Sequence, residues 1–193
     1  MCVFTGIITN LGKLKKKAGA TFTFAADQSF CRKIRNGTSI SVNGVCLTIL
    51  KKPSKNSFSV EVMPETLNKT MLGNLKIDNL VNLELPLAPA DFISGHIVQG
   101  HVDAVAKLTS ITKRGISRIL KFSIPRKLSK YLVTKGSVAV NGISLTIIEA
   151  GKDYFTVGII PYTWTNTMLH IVKKNDFVNI EVDILAKYVE RLK

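Results

Sequence analysis

The two stretches that decide the fold are SISVNGVCLTIL at residues 39–50 and SVAVNGISLTIIE at residues 137–149. Both follow the pattern Ser-x-x-Val-Asn-Gly-x-x-Leu-Thr, in which an apolar run meets Asn-Gly and a second apolar run follows. Asn-Gly between alternating apolar residues is the strongest short-range signal for a β-hairpin, because both residues tolerate positive φ angles. The sequence therefore predicts the same hairpin twice, either as a structural turn or as the base of a duplicated small-molecule pocket.

The repetition continues beyond the hairpins and indicates a duplicated chain. Asn43 and Asn141 are 98 residues apart, and Pro64 and Pro161 are 97 apart. This period is too long for the unit of a solenoid, so each copy is predicted to be a domain. The spacing of 97 is kept by Thr66 and Thr163, Thr70 and Thr167, Met71 and Met168, Leu72 and Leu169, Val81 and Val178, Asn82 and Asn179, and Glu84 and Glu181.

Each copy is predicted to be a small antiparallel β-barrel, because each offers six short strands bounded by turn residues. The predicted boundaries are residues 1–95 for the first domain, 96–184 for the second and 185–193 for a C-terminal helix. The predicted strands are 4–10, 21–25, 39–42, 45–50, 57–63 and 80–85 in the first half, and 100–110, 117–123, 137–140, 143–149, 154–160 and 177–182 in the second.

Helices are predicted at only a few places. Short helical turns are expected after Pro64 and Pro161, with Thr66 and Thr163 as caps, and over Pro125–Leu132. The C-terminal helix is amphipathic and too short to be stable alone, so its apolar stripe needs a surface to dock on, and a symmetric partner helix is a candidate. The stripe consists of Leu185, Tyr188, Val189 and Leu192.

The composition is that of a folded protein, with 46% hydrophobic and 21% charged residues among 193. No apolar run reaches the ~18 residues needed to span a bilayer. The first residues lack the basic and apolar segments of a secretory leader. Cys2, Cys31 and Cys46 have no metal-ligand spacing and suit a reducing compartment, so a cytoplasmic protein without a metal site is expected.

The net charge of +14 raises the question of a nucleic-acid partner. The lysines at 13, 15, 16 and 17, at 51, 52 and 55, and at 173 and 174 are interpreted as solvated residues that lie mostly in turns beside strands. The chain has no interleaved aromatic and basic residues, no zinc module and no recognition helix, so nucleic acid is not expected as a partner. It also lacks a phosphate-binding glycine loop and a hydrolase nucleophile elbow, which leaves chemistry by hydrogen bonding, positioning and proton transfer.

Further motifs carry a family resemblance. FTGII occupies residues 4–8, PETL residues 64–67 and GHIVQGHVD residues 95–103, and each half ends in Val-Asn-x-Glu. With the paired VNGVCLT and VNGISLT, this order resembles riboflavin synthase over essentially the whole chain. The resemblance implies two six-stranded Greek-key barrels, a C-terminal helix and a homotrimer whose active site lies between the first barrel of one subunit and the second barrel of a neighbour. It also implies conversion of two molecules of 6,7-dimethyl-8-ribityllumazine to riboflavin and 5-amino-6-(ribitylamino)uracil, without cofactor or metal.

The resemblance also assigns site residues. Ser39, Cys46, His101, Asn141 and Ser144 are the residues implied in catalysis, although Asn141 stands where some relatives have Asp. The first pocket is implied to contain Gly6, Ile7, Ile8, Cys46, Leu47, Thr48, Glu61, Val62, Met63, Pro64, Glu65 and Thr66, with Glu61 and Thr66 on the ribityl chain. The second is implied to contain Gly100, His101, Val102, Lys135, Ser144, Leu145, Thr146, Ile160, Pro161, Tyr162, Thr163, Trp164 and Thr165.

Three other functions fit parts of the sequence. A non-catalytic lumazine protein would bind one chromophore in its first half, whereas here the NGISLT and Ile-Pro patterns persist in the second half and favour catalysis. A flavin-binding reductase barrel is disfavoured by the duplication and by the missing dinucleotide-binding half, and a basic nucleic-acid module comes last. At single residues a structural interpretation stays open for Cys46 as a buried thiol, Lys135 as a turn residue, and Thr48 and Thr146 as strand formers.

Overall fold

The computed structural model describes residues 3–51 and 53–192, so Met1, Cys2, Lys52 and Lys193 lie outside the described residues. Within those ranges the chain forms twelve strands and four short α-helices, shared equally between two halves, together with three short 3₁₀ helices. The first half contains β1 (Asn10–Ala18), β2 (Thr21–Ala25), α1 (Gln28–Cys31), β3 (Ser39–Val42), β4 (Val45–Thr48), β5 (Ser57–Glu61), α2 (Pro64–Lys69) and β6 (Leu80–Glu84). The second half contains β7 (Ala104–Arg114), β8 (Ser117–Ser123), β9 (Ser137–Val140), β10 (Ile143–Ala150), β11 (Tyr154–Ile159), α3 (Pro161–Asn166), β12 (Phe177–Val182) and α4 (Ile184–Arg191).

Both Asn-Gly hairpins form as predicted. Asn43 and Asn141 each have a φ of 46°, and Gly44 and Gly142 have φ of 75° and 78°. Positive φ at both central residues is the geometry of the type I′ turn, whose twist matches that of its flanking strands. The two tips lie against each other, since a Cβ atom on Gly44 would stand 2.6 Å from the amide nitrogen of Gly142.

The six strands of each half are arranged in the same order. The first sheet runs β4-β3-β6-β1-β2-β5, and an isolated bridge between Ile49 and Val60 joins its outer strands. The second is a closed barrel in the order β10-β11-β8-β7-β12-β9, so corresponding strands have the same neighbours. The predicted fold class, all-β with two duplicated six-stranded antiparallel Greek-key barrels and a short C-terminal helix, is confirmed.

Each barrel has its own apolar core, because alternate residues of every strand point inward. Phe24 and Phe58 stack in the first core with ring centroids 5.6 Å apart. Phe122 and Phe155 stack in the second core at 5.3 Å. The two cores are packed separately, so the relative position of the barrels depends on the contacts and segments between them.

The first strand of each barrel starts later than predicted. Residues 4–10 and 100–110 were expected to be strands, but regular pairing starts only at the first residues of β1 and β7. The prediction was wrong because Gly6 and Gly100, both with φ of 77°, turn the backbone away from the extended path. The residues before β1 and β7 are therefore free to make other contacts.

β1 contains the first lysine cluster, which was predicted to lie in turns. Lys13, Lys15, Lys16 and Lys17 are exposed on the outer face of this strand, while Leu14 points into the core and is 0% exposed. That prediction was wrong because the outer face of a barrel strand accepts charged side chains without cost, and lysine content alone does not separate such a face from a turn.

The helices follow the prolines as predicted, but the predicted caps were wrong. Pro64 and Pro161 occupy the first turns of α2 and α3, and the N-cap positions belong to Met63 and Ile160. The two threonines predicted as caps lie inside the helices instead. The predicted helix over residues 125–132 is a 3₁₀ helix, Arg126–Tyr131, and α1 was not predicted. No helix in the described ranges is both long and apolar enough to cross a membrane.

Four buried asparagines join the barrels. The side-chain amide of Asn82 donates to the carbonyl of Asn141 at 2.9 Å, and that of Asn179 donates to the carbonyl of Asn43 at 2.8 Å. The Asn43 and Asn141 side-chain oxygens accept in turn from the backbone N–H groups of Asn82 and Asn179, at 2.8 and 2.7 Å. All four residues are at most 1% exposed. Because buried amides lose free energy when unpaired, this network fixes the relative orientation of the barrels.

Candidate functional site

Two short crossing segments, residues 4–8 and 98–102, run antiparallel between the barrels. Phe4 and Val98 exchange backbone hydrogen bonds of 2.7 and 3.0 Å. Ile8, at the end of the first segment, packs on the core of the second barrel, and the last residue of the second segment packs on the core of the first. Each half of the chain therefore sends its leading segment to the barrel of the other half.

A buried glutamate at the end of each barrel holds one crossing segment. Glu84 accepts hydrogen bonds from the backbone N–H groups of Thr5 and Gly6 at 2.7 and 3.1 Å. Glu181 accepts from the backbone N–H groups of residues 99–101 at 2.6, 2.9 and 3.0 Å. Burial raises the pKa of both carboxyl groups, and the N–H donors offset part of that rise. These bonds set the position of both segments.

The crossing segments touch the hairpin strands of the opposite barrels. The N–H of Ser144 donates to the carbonyl of Gly6 at 2.8 Å, and the N–H of Cys46 donates to the carbonyl of Gly100 at 2.9 Å. A Cβ atom on Gly6 would lie 2.6 Å from Cβ of Ser144, and one on Gly100 would lie 2.6 Å from Cβ of Cys46. Only glycine allows this approach. The structure thus pairs each segment with the hairpin of the other half, whereas the resemblance had grouped it with the hairpin of its own half.

The first candidate pocket is an open surface between β4, the end of β5 and the second crossing segment. Cys46 is half-buried there, and Thr48 and His101 are exposed. The bridge just after β4 joins it to β5 and sets Thr48 beside Glu61. Ser39 pairs with Thr48 across the β3–β4 ladder and lies at the edge of this surface. The same surface continues into Met63, Pro64, Glu65 and Thr66 at the start of α2.

The second candidate pocket has the same construction in the other half. Ser144 is half-buried on β10, Thr146 is exposed, and Ile7 of the first crossing segment is 44% exposed. Ile160 and Tyr162 expose 57% and 74% of their surface beyond the end of β11. The segment continues through Pro161, Thr163, Trp164 and Thr165 in α3. Exposed apolar side chains at both pockets indicate surfaces that a ligand or another chain covers.

A buried histidine distinguishes the second pocket. Nδ1 of His96 lies 2.7 Å from the hydroxyl oxygen of Ser144. Burial lowers the pKa of His96, while the nearby Asp183 carboxylate acts in the opposite direction. Its Nε2 atom is buried and has no hydrogen-bond partner among the described residues. A neutral imidazole beside a hydroxyl is able to accept the hydroxyl proton, so this pair is equipped to move a proton.

The first half has a different residue at the corresponding place. When the two halves are aligned so that Gly6 corresponds to Gly100, Cys2 corresponds to His96. Cys2 lies outside the described residues. The same alignment pairs Ile7 with His101, so each pocket receives one exposed side chain of different chemistry from its crossing segment. The backbone arrangement of the two pockets, which we call their frame, is the same, and their side chains differ.

Several predicted residues lie away from both open surfaces. Asn141 is 0% exposed, and its side chain is bonded to the N–H of Asn179 and to the sulfur of Met168. Its position supports a role in the inter-barrel network and gives no support to the predicted catalytic role. Lys135, in contrast, is an exposed turn residue with φ of 69° whose N–H donates to the carbonyl of Ile147, the residue that follows Thr146 of the second pocket. Core positions are taken by Leu47, Val62 and Leu145.

Three functional residues were missed from the sequence. Glu84 and Glu181 were noted only as part of a repeated Val-Asn-x-Glu pattern, which was the available signal for a shared structural role. His96 was noted only within the motif at residues 95–103, and its partner Ser144 lies 48 residues away, so no spacing rule connects them. Tertiary structure alone brings these two residues together.

A separate groove lies away from both candidate pockets. It measures about 570 Å³ and lies between the 3₁₀ helices Met71–Asn74 and Met168–Ile171, which follow α2 and α3. Its lining draws on matching residues of both halves, such as Leu80 and Phe177. This groove contains none of the predicted site residues. Both candidate pockets are instead open surfaces.

Fold and site together define a duplicated β-barrel protein that presents two similar pockets, each completed by a segment from the other half. A model of the lumazine binding domain matches the chain twice, over residues 5–86 and 99–183. Both matches coincide with the barrels. Since they cover most of the chain, the class is that of two-domain lumazine-binding proteins.

The chain is similar in sequence to named proteins over most of its length. Riboflavin synthase of Actinobacillus pleuropneumoniae is 39% identical over 193 residues, which cover 98% of this chain and 89% of the relative. Riboflavin synthase of Bacillus subtilis is 38% identical, with the same coverage of both chains. That of Mycobacterium bovis is 42% identical over 160 residues, or 81% of this chain and 80% of the relative. The chain belongs to the riboflavin synthase family, and the resemblance drawn from its sequence is confirmed.

Solved structures with the same fold include ligand complexes. LumP complexed with 6,7-dimethyl-8-(1′-D-ribityl) lumazine matches with a TM-score of 0.80 at 24% identity, over 93% of this chain and 98% of LumP. LumP complexed with flavin mononucleotide matches with a TM-score of 0.77 over the same shares. At this identity the likeness shows the fold, and it confirms the barrel architecture.

Proposed function

We propose that the protein catalyses the dismutation of two molecules of 6,7-dimethyl-8-ribityllumazine to riboflavin and 5-amino-6-(ribitylamino)uracil, the last step of riboflavin biosynthesis. The observation that carries this proposal is the pair of pockets with the same frame and different side chains. A reaction in which one molecule donates a four-carbon unit to an identical molecule needs two similar binding places with different chemistry. The activity named for the relatives is the same.

The chemistry suits a site without strong catalytic groups. The C7 methyl group of the lumazine is acidic, because the carbanion formed on it delocalises into the pyrimidinedione ring. The two products together contain every atom of the two substrates, so the reaction consumes neither oxidant nor reductant, and we infer that no cofactor or metal is required. Holding two rings in opposed register supplies several kcal/mol through proximity and orientation. Hydrogen-bond donors at the ring oxygens stabilise the developing negative charge.

We assign proton transfer at the second pocket to Ser144 and His96. With Nδ1 as the acceptor, His96 draws on the Ser144 proton and makes the hydroxyl oxygen more basic at the pocket surface. Cys46 occupies the matching place in the first pocket, where the exposed His101 side chain stands beside it. Backbone groups of the crossing segments lie next to both hairpins and are placed to read the ring edges.

We further propose a homotrimer in which the first pocket of one copy faces the second pocket of a neighbour. Both pockets are open in the single chain, and Met63 and Tyr162 at their rims are 66% and 74% exposed. The apolar stripe of α4 is also uncovered, with Tyr188 62% and Leu192 87% exposed. Light scattering of the full chain and of a chain lacking residues 185–193 tests this assembly. A trimer that becomes a monomer on truncation supports it, and a monomeric full chain contradicts it.

We infer that the protein works in the cytoplasm. Within the described ranges, Cys31 and Cys46 are not joined in a disulfide. Free thiols persist in a reducing compartment. Fractionation of cells that produce the protein tests the inference, and recovery of the activity from a membrane or secreted fraction would contradict it.

The deciding experiment mixes purified protein with the lumazine alone, in the presence of a chelator and without nicotinamide. One riboflavin for every two lumazines consumed, together with an equal amount of the pyrimidine product, is the expected result. Tight lumazine binding without turnover would replace the proposed enzyme with a chromophore-binding protein. Inactivated protein is the control for spontaneous conversion.

A further inference from the structure

A stacked cation and aromatic ring lie at the end of the second pocket. The guanidinium of Arg118 on β8 stands 4.1 Å from the ring centroid of Trp164 in α3. Both residues are half-buried, and Trp164 packs on the core of the second barrel. Arg118 also pairs with Ile159 in the sheet, directly before the predicted ligand-binding residues 160–165. The guanidinium is therefore held in one place beside that segment.

This guanidinium is available to a ligand. In the part of the chain that the structure describes, the ion pairs all belong to other residues. Across the β7–β8 ladder, Arg118 faces Lys113, which is also a cation. A guanidinium stacked on a ring keeps its in-plane N–H groups free, and that fork matches the oxygens of a phosphate. The local excess of positive charge favours an anion at this point.

The first half has no cation at the place that matches Arg118, and a carboxylate lies beside that place. Phe22 pairs with Val60 in the first half, and Leu120 pairs with Val157 in the second. When the two halves are aligned on these pairs, Ala20 is the counterpart of Arg118. Leu67 takes the place of Trp164 at the same spacing of 97 residues. Glu61 is exposed at the first pocket. Its counterpart at the second pocket is Gly158, which has no carboxylate.

We infer that Arg118, stacked on Trp164, gives the second pocket a phosphate-binding position at the end of the ribityl chain, so that phosphorylated flavin binds there in preference to riboflavin. This inference rests on the proposed function, which places a ribityl chain beside residues 160–165. Glu61 excludes the same phosphate from the first pocket by charge repulsion. A phosphorylated flavin thereby occupies one pocket of the pair and competes with one of the two substrates.

The single tryptophan of the chain provides the measurement. Quenching of Trp164 fluorescence is titrated with flavin mononucleotide and with riboflavin on the full protein. A charge-assisted, bidentate contact predicts about tenfold tighter binding of flavin mononucleotide. Arg118→Gln should remove this preference and leave riboflavin affinity unchanged. Inorganic phosphate as competitor should weaken flavin mononucleotide binding and leave riboflavin binding unaffected.

Lys121→Gln is the matched control, because Lys121 lies on the same strand and stacks on Tyr154 at 3.6 Å, outside the pocket. It removes the same charge and should change flavin mononucleotide affinity less than twofold. Equal loss in both variants, or equal affinity of the wild type for both flavins, would overturn the inference. Unchanged riboflavin affinity shows that Arg118→Gln is folded. Lumazine turnover in the same preparation keeps the outcomes separate, because its absence would count against the proposed function.

Discussion

The two pockets have the same backbone geometry, but their side chains differ. Gly6 and Gly100 have the same φ, the same close approach to a hairpin and the same kind of glutamate support. The side chains that reach the open surfaces are unlike, with Cys46 in one half and Ser144 in the other. Backbone-supporting residues have thus stayed alike in both halves, while Cys46 and Ser144, and Ile7 and His101, have diverged.

This contrast has a physical basis. A buried carboxylate or asparagine that loses its partner leaves an unsatisfied polar group, which costs about 1–3 kcal/mol. A change at an exposed pocket residue such as Ile7 or His101 carries no such penalty, so these positions are free to specialise. The pair of pockets therefore suits two identical substrates that play different parts.

The largest expected effect tests whether proton transfer belongs to the second pocket. Ser144→Ala should lower kcat by about 10²–10⁴-fold, because a positioned base is worth that much. His96→Gln should give a loss of similar size, since it removes the group that polarises the serine. Steady-state kinetics with the lumazine provide the measurement, and circular dichroism checks the fold. A variant of Ser144 that keeps most of its activity would assign the proton transfer to another group.

The next effect tests the symmetry of the frame. Asn43→Ala and Asn141→Ala should each lower the free energy of unfolding by about 1–3 kcal/mol, because each leaves a buried N–H without its acceptor. The two losses should be nearly equal, and urea unfolding followed by fluorescence measures both. A large loss of activity in folded Asn141→Ala, without one in Asn43→Ala, would restore the catalytic role predicted for Asn141.

A smaller effect compares the two residues that differ at the first pocket. Cys46→Ser should retain more activity than His101→Ala, because serine already occupies the matching position of the second half. We expect a change of a few-fold for Cys46→Ser and about tenfold for His101→Ala, the latter equal to the loss of about one hydrogen bond. Values of kcat/KM for the two variants decide the order, and equal losses would contradict it.

The smallest effect is a pH dependence. His96 has a pKa below its usual value of 6.5, so as pH falls below that value the unfolded chain binds a proton that the folded chain does not. Stability is therefore lost as pH falls from 6.5 towards the folded pKa. Melting temperatures between pH 7.5 and 5.5 should fall more for the wild type than for His96→Asn. Parallel curves would show that His96 stays outside this titration, since Glu84 and Glu181 act equally in both proteins.

Much of the fold was predictable because it depends on local patterns. The Asn-Gly turns placed the hairpin strands within two residues of their observed bounds, the alternation of β12 gave its observed bounds, and the internal repeat indicated two barrels. The start of β1 was missed, because Gly6 breaks the strand and the lysines after it face outward. No local sequence pattern shows which face of a barrel strand carries the charged side chains.

The candidate site was less accessible from the sequence. Its residues were found through family motifs, yet their grouping depends on where residues 4–8 and 98–102 cross. That crossing is a long-range contact between Gly6 and Ser144, and between Gly100 and Cys46, which neither periodicity nor spacing encodes. The His96–Ser144 pair could not be predicted for the same reason.

The central claim is that each pocket is completed by the crossing segment of the other half. A double-mutant cycle on lumazine dissociation constants tests it most directly, with His101→Ala combined in turn with Thr48→Ala and with Thr146→Ala. Residues of one pocket should couple, so His101 and Thr48 should show an interaction energy above about 0.5 kcal/mol, while His101 and Thr146 should be additive within about that amount. Coupling of His101 to Thr146 with additivity towards Thr48 would contradict the exchanged pockets.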